Sequence, residues 1–152
     1  MMPRRSSGHC RVLLSSVSSD SHTWNLVYLQ LLLEEAGHQV TNLGACVPDD
    51  LLVETAARWR PSVIVISSVN GHGHLDGARL IGRVRADARI RHIPAVIGGK
   101  LGIAGDDRPY VERLAAAGFD LVFPQGSDVT ELPGLVEALS VQTGDRESAR
   151  AA

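Results

Sequence analysis

An aspartate and a histidine two residues apart, Asp20 and His22, follow the first apolar run of the chain, Val12 to Val17. A carboxylate that takes the hydrogen of one imidazole nitrogen leaves the other nitrogen to face a metal, so the pair suits a metal ligand with an orienting acid behind it. Ser19, Ser21 and Thr23 flank it with hydroxyls. Two more segments have unusual composition. Ser67, Ser68 and Val69 close a β-branched run and lead into a loop holding Gly71 and Gly73; Gly98 and Gly99 open the stretch Gly98-Gly99-Lys100-Leu101-Gly102-Ile103-Ala104-Gly105. Glycines let backbone come close to another group where a Cβ would clash. Lys100 could hold a phosphate, but the Gly-x-x-x-x-Gly-Lys-Ser/Thr spacing of a P-loop is absent. His72 and His74 could take a metal, alone or with His22, or be ordinary polar residues of the loop.

Strand and helix signals alternate along the whole chain. The pattern predicts a buried strand over 11–17 and a helix over 25–36, where Leu26, Leu29, Leu32 and Leu33 recur near helical spacing and Gly37 fits just past the end. A second strand is expected over 38–43. Pro48, Asp49 and Asp50 open a helix running to about 58, with acids in its first turn and Pro61 to stop it. Val63-Ile64-Val65-Ile66 has no polar alternation, as in a central parallel strand covered on both faces. A loop over 69–76 then precedes a helix to about 88. A fourth strand follows over 93–97, a helix over 109–117 closed by Gly118, a short strand over 119–123, and a last helix over 129–139. Residues 1–10 are read as an N-terminal tail, 11–140 as one domain, and the polar stretch 141–152 as a disordered C-terminal tail.

Five β/α units imply a doubly wound five-stranded parallel sheet, most readily of flavodoxin-like, Rossmann-like order 2-1-3-4-5. Its topological switch lies between strands 1 and 3, and ligands bind there beyond the carboxyl ends of the strands. The three unusual segments follow strands 1, 3 and 4, so they should converge on one crevice.

Composition narrows the function classes. A length of 152 residues suits one domain with a sizeable core, and the formal net charge is −2. No basic patch with interleaved aromatics supports nucleic-acid binding. No apolar window reaches membrane-span length, and the N-terminus does not read as a signal peptide. Cys10 and Cys46 are too few for a disulfide framework, so reduced thiols in the cytoplasm are the expectation.

The three segments together resemble the cobalamin-binding domain of mutases and methyltransferases that hold their cofactor base-off. That family carries Asp-x-His-x-x-Gly, then Ser-x-Leu, then Gly-Gly. Here Asp20-x-His22 is followed by Asn25; residues 26–66 intervene before Ser67-Ser68-Val69, and 70–97 before Gly98-Gly99, separations that match. The likeness is greatest to the small subunits of the glutamate (methylaspartate) mutases, with Ser67 to Gly73 and Val122 to Ser127 resembling their counterparts.

The resemblance implies adenosylcobalamin as cofactor, with His22 as the axial ligand to its cobalt and Asp20 orienting the ring. It assigns the Ser67 hydroxyl to the base of the displaced nucleotide tail. Gly98, Gly99 and the loop Lys100, Leu101, Gly102 and Ile103 would line the tail's slot, and Gly126 and Ser127 would close its far wall. It also implies an amino-acid substrate held by a separate large TIM-barrel subunit, with radical rearrangement needing both chains. The departures are Val69 in place of Leu and Asn25 in place of Gly. If that glycine serves a positive φ, asparagine is the best substitute; if it serves the lack of a side chain, the cofactor's seat changes. The other readings are a stand-alone corrinoid carrier or cobalamin-dependent sensor, disfavoured because ten residues precede strand 1 and no output domain follows, and a receiver-like domain, disfavoured because Ser67 and Ser68 stand where a phosphoacceptor aspartate should end strand 3.

Overall fold

The computed structural model describes residues 9–103 and 105–151, backbone alone beyond 142. Residues 1–8 of the expected N-terminal tail and Ala104 of the glycine-rich loop lie outside the described residues. Five strands, β1 (Arg11–Ser15), β2 (Gln39–Asn42), β3 (Val63–Ser68), β4 (Ala95–Gly99) and β5 (Leu121–Phe123), form one parallel sheet in the order β2-β1-β3-β4-β5. The helices are α1 (Trp24–Glu35), α2 (Asp49–Trp59), α3 (Gly73–Ala86), α4 (Arg108–Ala117) and α5 (Leu132–Ala151).

The sheet divides the core into two apolar layers. One packs Leu52, Val53 and Ala56 of α2, Leu80, Ile81 and Val84 of α3 and Leu114 of α4 against Leu13, Ile64, Ile66 and Ile97. The other packs Leu26, Leu29 and Leu33 of α1 and Leu132 and Val136 of α5 against Val12, Leu14, Val63, Val65 and Val96. Every residue of β3 is buried, as its unbroken apolar run requires of a strand covered on both faces. Cys10, placed in the tail by its position, is 2% exposed in the second layer, and its carbonyl accepts from Gln39 N–H at 2.9 Å. The core thus begins one residue before the expected boundary.

Three element boundaries differ from expectation for identifiable reasons. α3 begins at Gly73, inside the segment whose glycines suggest a loop. Gly73, and Gly77 one turn on, serve packing instead: a Cβ on Gly77 would meet Ile97 Cδ1 at 2.5 Å, and one on Gly73 would meet Ser68 at 3.0 Å. β4 starts two residues late, after Pro94, and runs through Gly98 and Gly99, which pair with Ser67 and Ser68. The backbone of 141–151 continues α5, where polarity suggested a disordered tail. No proline falls within 141–151 to stop the helix.

Candidate functional site

β1 ends at Ser15 and the chain reaches α1 through a short loop, which puts Asp20 and His22 at the sheet's carboxyl edge. Asp20 is fully buried. Its Oδ1 accepts from the His22 backbone N–H at 3.0 Å and lies 2.7 Å from His22 Nδ1; its Oδ2 accepts from Val69 N–H at 2.7 Å. A carboxylate only accepts, so Nδ1 carries the hydrogen and Nε2 is left with its lone pair on a ring that is 59% exposed. The Asp20 carbonyl also accepts from Cys46 N–H at 2.8 Å. One aspartate therefore ties together the loops after β1, β2 and β3. Cys46 itself is an exposed loop thiol with φ +51°.

Burial pushes the Asp20 carboxyl up, but the hydrogen bonds from Val69 and His22 outweigh it, and the group ends below the ordinary carboxylate range. The unfolded chain therefore takes up this proton first as pH falls. The stability contributed by Asp20 is full above about pH 4 and is lost as pH falls through the lower, folded-state value. Wild type is expected to lose unfolding free energy more steeply than Asp20→Asn as pH falls below about 4, measured by urea denaturation. Parallel pH profiles would show that the carboxylate does not bind the loops as described.

A polar network braces the same loop from the α3 side. Arg79 donates to Ser18 Oγ at 2.8 Å, to Asp76 Oδ1 at 2.8 Å and to Asp49 Oδ2 at 2.8 Å. Asp76 accepts from the Ser19 hydroxyl, which itself accepts from Asn70 Nδ2 at 3.0 Å. Nothing in the sequence spacing pointed to Arg79, which lies far from Ser18 along the chain.

Two cavities open at this edge. One, of about 390 Å³, is lined by Ser21, His22, Thr23, Trp24, Asn25 and Val69. The other, of about 420 Å³, is walled by Tyr28 and Leu29 of α1, Val65 and Ser67 of β3, Val96 and Gly98 of β4, and Gly126 and Ser127 after β5, with Gly99 and Lys100 at its side. Asn25 and Val69 line both. Ser67, Gly98, Gly99, Lys100, Gly126 and Ser127 thus meet at one apolar slot.

The rest of the expected slot lining is elsewhere. Ser68 is buried and packs against Gly73, and its hydroxyl lies 3.3 Å from Asn70 Oδ1. Alternation along β3 turns it to the sheet face opposite Ser67. Leu101 is fully buried in the α3/α4 layer, since an apolar side chain there gains most from the core. Gly102 lies against Tyr110, and Ile103 is 80% exposed beside Gly71. Gly99 has a structural need of its own: its φ is +113°, and a Cβ would come within 2.2 Å of the Ser68 carbonyl oxygen. His74 lies 2.7 Å from the Leu101 carbonyl through Nδ1 and has its ring 4.4 Å from that of Tyr110. Among the described residues, no group of three His, Cys, Asp or Glu is gathered to hold a metal.

Asn25 was singled out only as a departure. It is the second residue of α1, and its φ is not positive. What matters at this position is therefore the side chain. Asn25 Nδ2 donates to Ser67 Oγ at 2.7 Å, while Oδ1 is buried without a hydrogen-bond partner.

Comparison with known proteins gives a consistent picture. The family profile described as "B12 binding domain" matches residues 10–132. The glutamate mutase sigma subunit of Treponema denticola is 32% identical over 121 residues, covering 78% of this chain and 86% of that protein. That of Clostridium tetanomorphum is 30% identical over 134 residues, covering 86% and 96%. Among solved structures, a cobalamin-binding protein from Desulfitobacterium hafniense superposes with a TM-score of 0.71 at 17% identity. That match covers 86% of this chain and 59% of the other, so the chain spans less than two thirds of that protein. A receiver domain from Francisella superposes with a TM-score of 0.69 at 20% identity, covering 89% and 99%. The two structural likenesses establish the doubly wound fold.

Proposed function

The chain belongs to the B12-binding domain family and, within it, to the glutamate mutase sigma subunits, and we propose that it carries adenosylcobalamin as the small subunit of a carbon-skeleton mutase of that type. The observation that carries this reading is the Asp20–His22 pair: a hydrogen-bonded Nδ1 fixes the ring and leaves Nε2 as a ligand nitrogen on an exposed face, next to an apolar slot. The residues present fit the cofactor. His22 would hold cobalt from below, and the 420 Å³ slot between α1, β3, β4 and β5 suits the displaced nucleotide tail. The bound cofactor would supply radical chemistry.

The protein's own contribution is positional. Asp20 keeps the His22 tautomer and orientation. The Arg79 network holds the preceding serines, and with Asp20 it fixes where the imidazole stands. Apolar slot walls exclude water from the tail, and the Ser67 hydroxyl is the one polar group of β3 at its floor.

The amino-acid substrate, of the glutamate class, belongs on a separate large TIM-barrel subunit. Around the carboxyl edge stand three exposed apolar side chains, Trp24 at 84%, Leu75 at 57% and Ile103 at 80%, on the segments after β1, β3 and β4. They suit burial against that subunit over the upper face of the cofactor. No helix among the described residues is long and apolar enough to cross a membrane. The test is cofactor capture. Adenosylcobalamin mixed with the purified chain at neutral pH should stay with it through gel filtration, with the spectrum of nitrogen-ligated cobalt in wild type and, at saturating cofactor, the ligand-free base-off spectrum in His22→Ala. Failure of the wild-type chain to retain the cofactor would overturn the reading.

A further inference from the structure

The two cavities adjoin at Asn25 and Val69. A nucleotide tail descending past His22 into the slot would pass these two shared residues. They differ in how firmly they are held. Val69 is pinned through its backbone by Asp20 Oδ2 at 2.7 Å. Asn25 crosses from α1 to β3 with a single hydrogen bond, Nδ2 to Ser67 Oγ at 2.7 Å. It stands in the first turn of α1, whose N-cap Thr23 makes no side-chain cap bond, next to the solvent-exposed Trp24. Its Oδ1 is buried and unsatisfied, a rare condition for a buried polar atom. In this position the amide makes one bond and forgoes another that water would supply outside.

We propose that Asn25 is a latch on the tail slot: its bond to Ser67 closes the passage between the two cavities, and it swings out as the nucleotide tail enters. The unsatisfied Oδ1 makes the closed position only weakly favoured, so the latch opens without loss of a complete polar pairing. The Ser67 hydroxyl, released from Asn25, is then free to bond the incoming base. Asn25 thereby sets the rate at which tail-bearing corrinoids load, and leaves corrinoids without a tail unaffected. This inference rests on the cobalamin-carrying reading.

Stopped-flow loading of the full chain with adenosylcobalamin and with adenosylcobinamide, which has no nucleotide tail, separates the two. In Asn25→Ala, chosen because alanine keeps the helix turn, the association rate for adenosylcobalamin should rise by roughly tenfold, the worth of one net hydrogen bond. The rate for adenosylcobinamide should stay within about twofold of wild type, too small a change to be a hydrogen bond. Ser67→Ala also removes the latch bond, so it should raise the same association rate while raising the dissociation rate, because the tail loses its hydroxyl. A merely structural role for Asn25 would shift both corrinoids alike. An unchanged or slower adenosylcobalamin association rate in both variants, or equal acceleration of both corrinoids, overturns the latch. If wild type loads neither corrinoid, it is the cobalamin reading itself that fails.

Discussion

His22→Ala should abolish the histidine-ligated complex with cobalamin and weaken binding by more than the roughly 10–100-fold typical of losing an orienting partner behind a ligand. The reason is geometric. Among the described residues, His22 is the only side chain at the carboxyl edge that combines a fixed tautomer, an exposed second nitrogen and a cavity in front of it. His74 has Nδ1 at the Leu101 carbonyl and its ring against Tyr110, so it offers no substitute. Asp20→Asn leaves the ligand in place and should cost less. Equilibrium titration of both variants with adenosylcobalamin checks the order. Binding by His22→Ala as tight as wild type would remove His22 from the site.

The second large effect concerns turnover. The chain alone, loaded with adenosylcobalamin, should show no isomerisation of any amino acid, and activity should appear only when a large barrel subunit is added. Among the described residues, neither cavity is lined by an acid or an arginine that could hold an amino-acid substrate. The cavity in front of His22 is lined by small hydroxyl side chains, Trp24, Asn25 and Val69, and the larger one is apolar except for Ser67, Asn25, Lys100 and the loop after β5. The exposed His22 ring and the 84% exposed Trp24 stand at an edge open to water, which would quench a radical formed there unless a partner covered it. A coupled assay with purified subunits, separate and mixed, measures this. Steady turnover by this polypeptide alone would refute the two-subunit reading.

Much of the fold was legible because its signals are local. The unbroken Val63–Ile66 run could only be a strand covered on both faces, and Pro48, Asp49, Asp50 and Pro61 bracket α2 by backbone chemistry. Gly37 and Gly118 sit past helix ends with positive φ, as helix stops do. What escaped was set by tertiary contact. Gly73 and Gly77 look like loop glycines until the sheet that α3 presses against is in place. Leu101 sits in the middle of a glycine-rich loop, and only the core behind it shows why it leaves the slot. At the site, Asp20 and His22 were legible because the pair acts over two residues. The Asn25–Ser67 bond and the Arg79 brace join residues far apart in the chain, and spacing carries no trace of them. Asn25 was visible as a departure, but whether its backbone or its side chain mattered depended on the helix that begins one residue before it.

The account turns on one bond, from His22 Nε2 to cobalt. Electron paramagnetic resonance of the complex between cob(II)alamin and the chain, prepared with ¹⁴N- and then ¹⁵N-labelled histidine, observes it directly. The superhyperfine splitting from the axial nitrogen should change from a triplet to a doublet on labelling, and the histidine signal should vanish in His22→Ala. A splitting that is indifferent to the histidine label, arising instead from the cofactor's own base, would contradict the account.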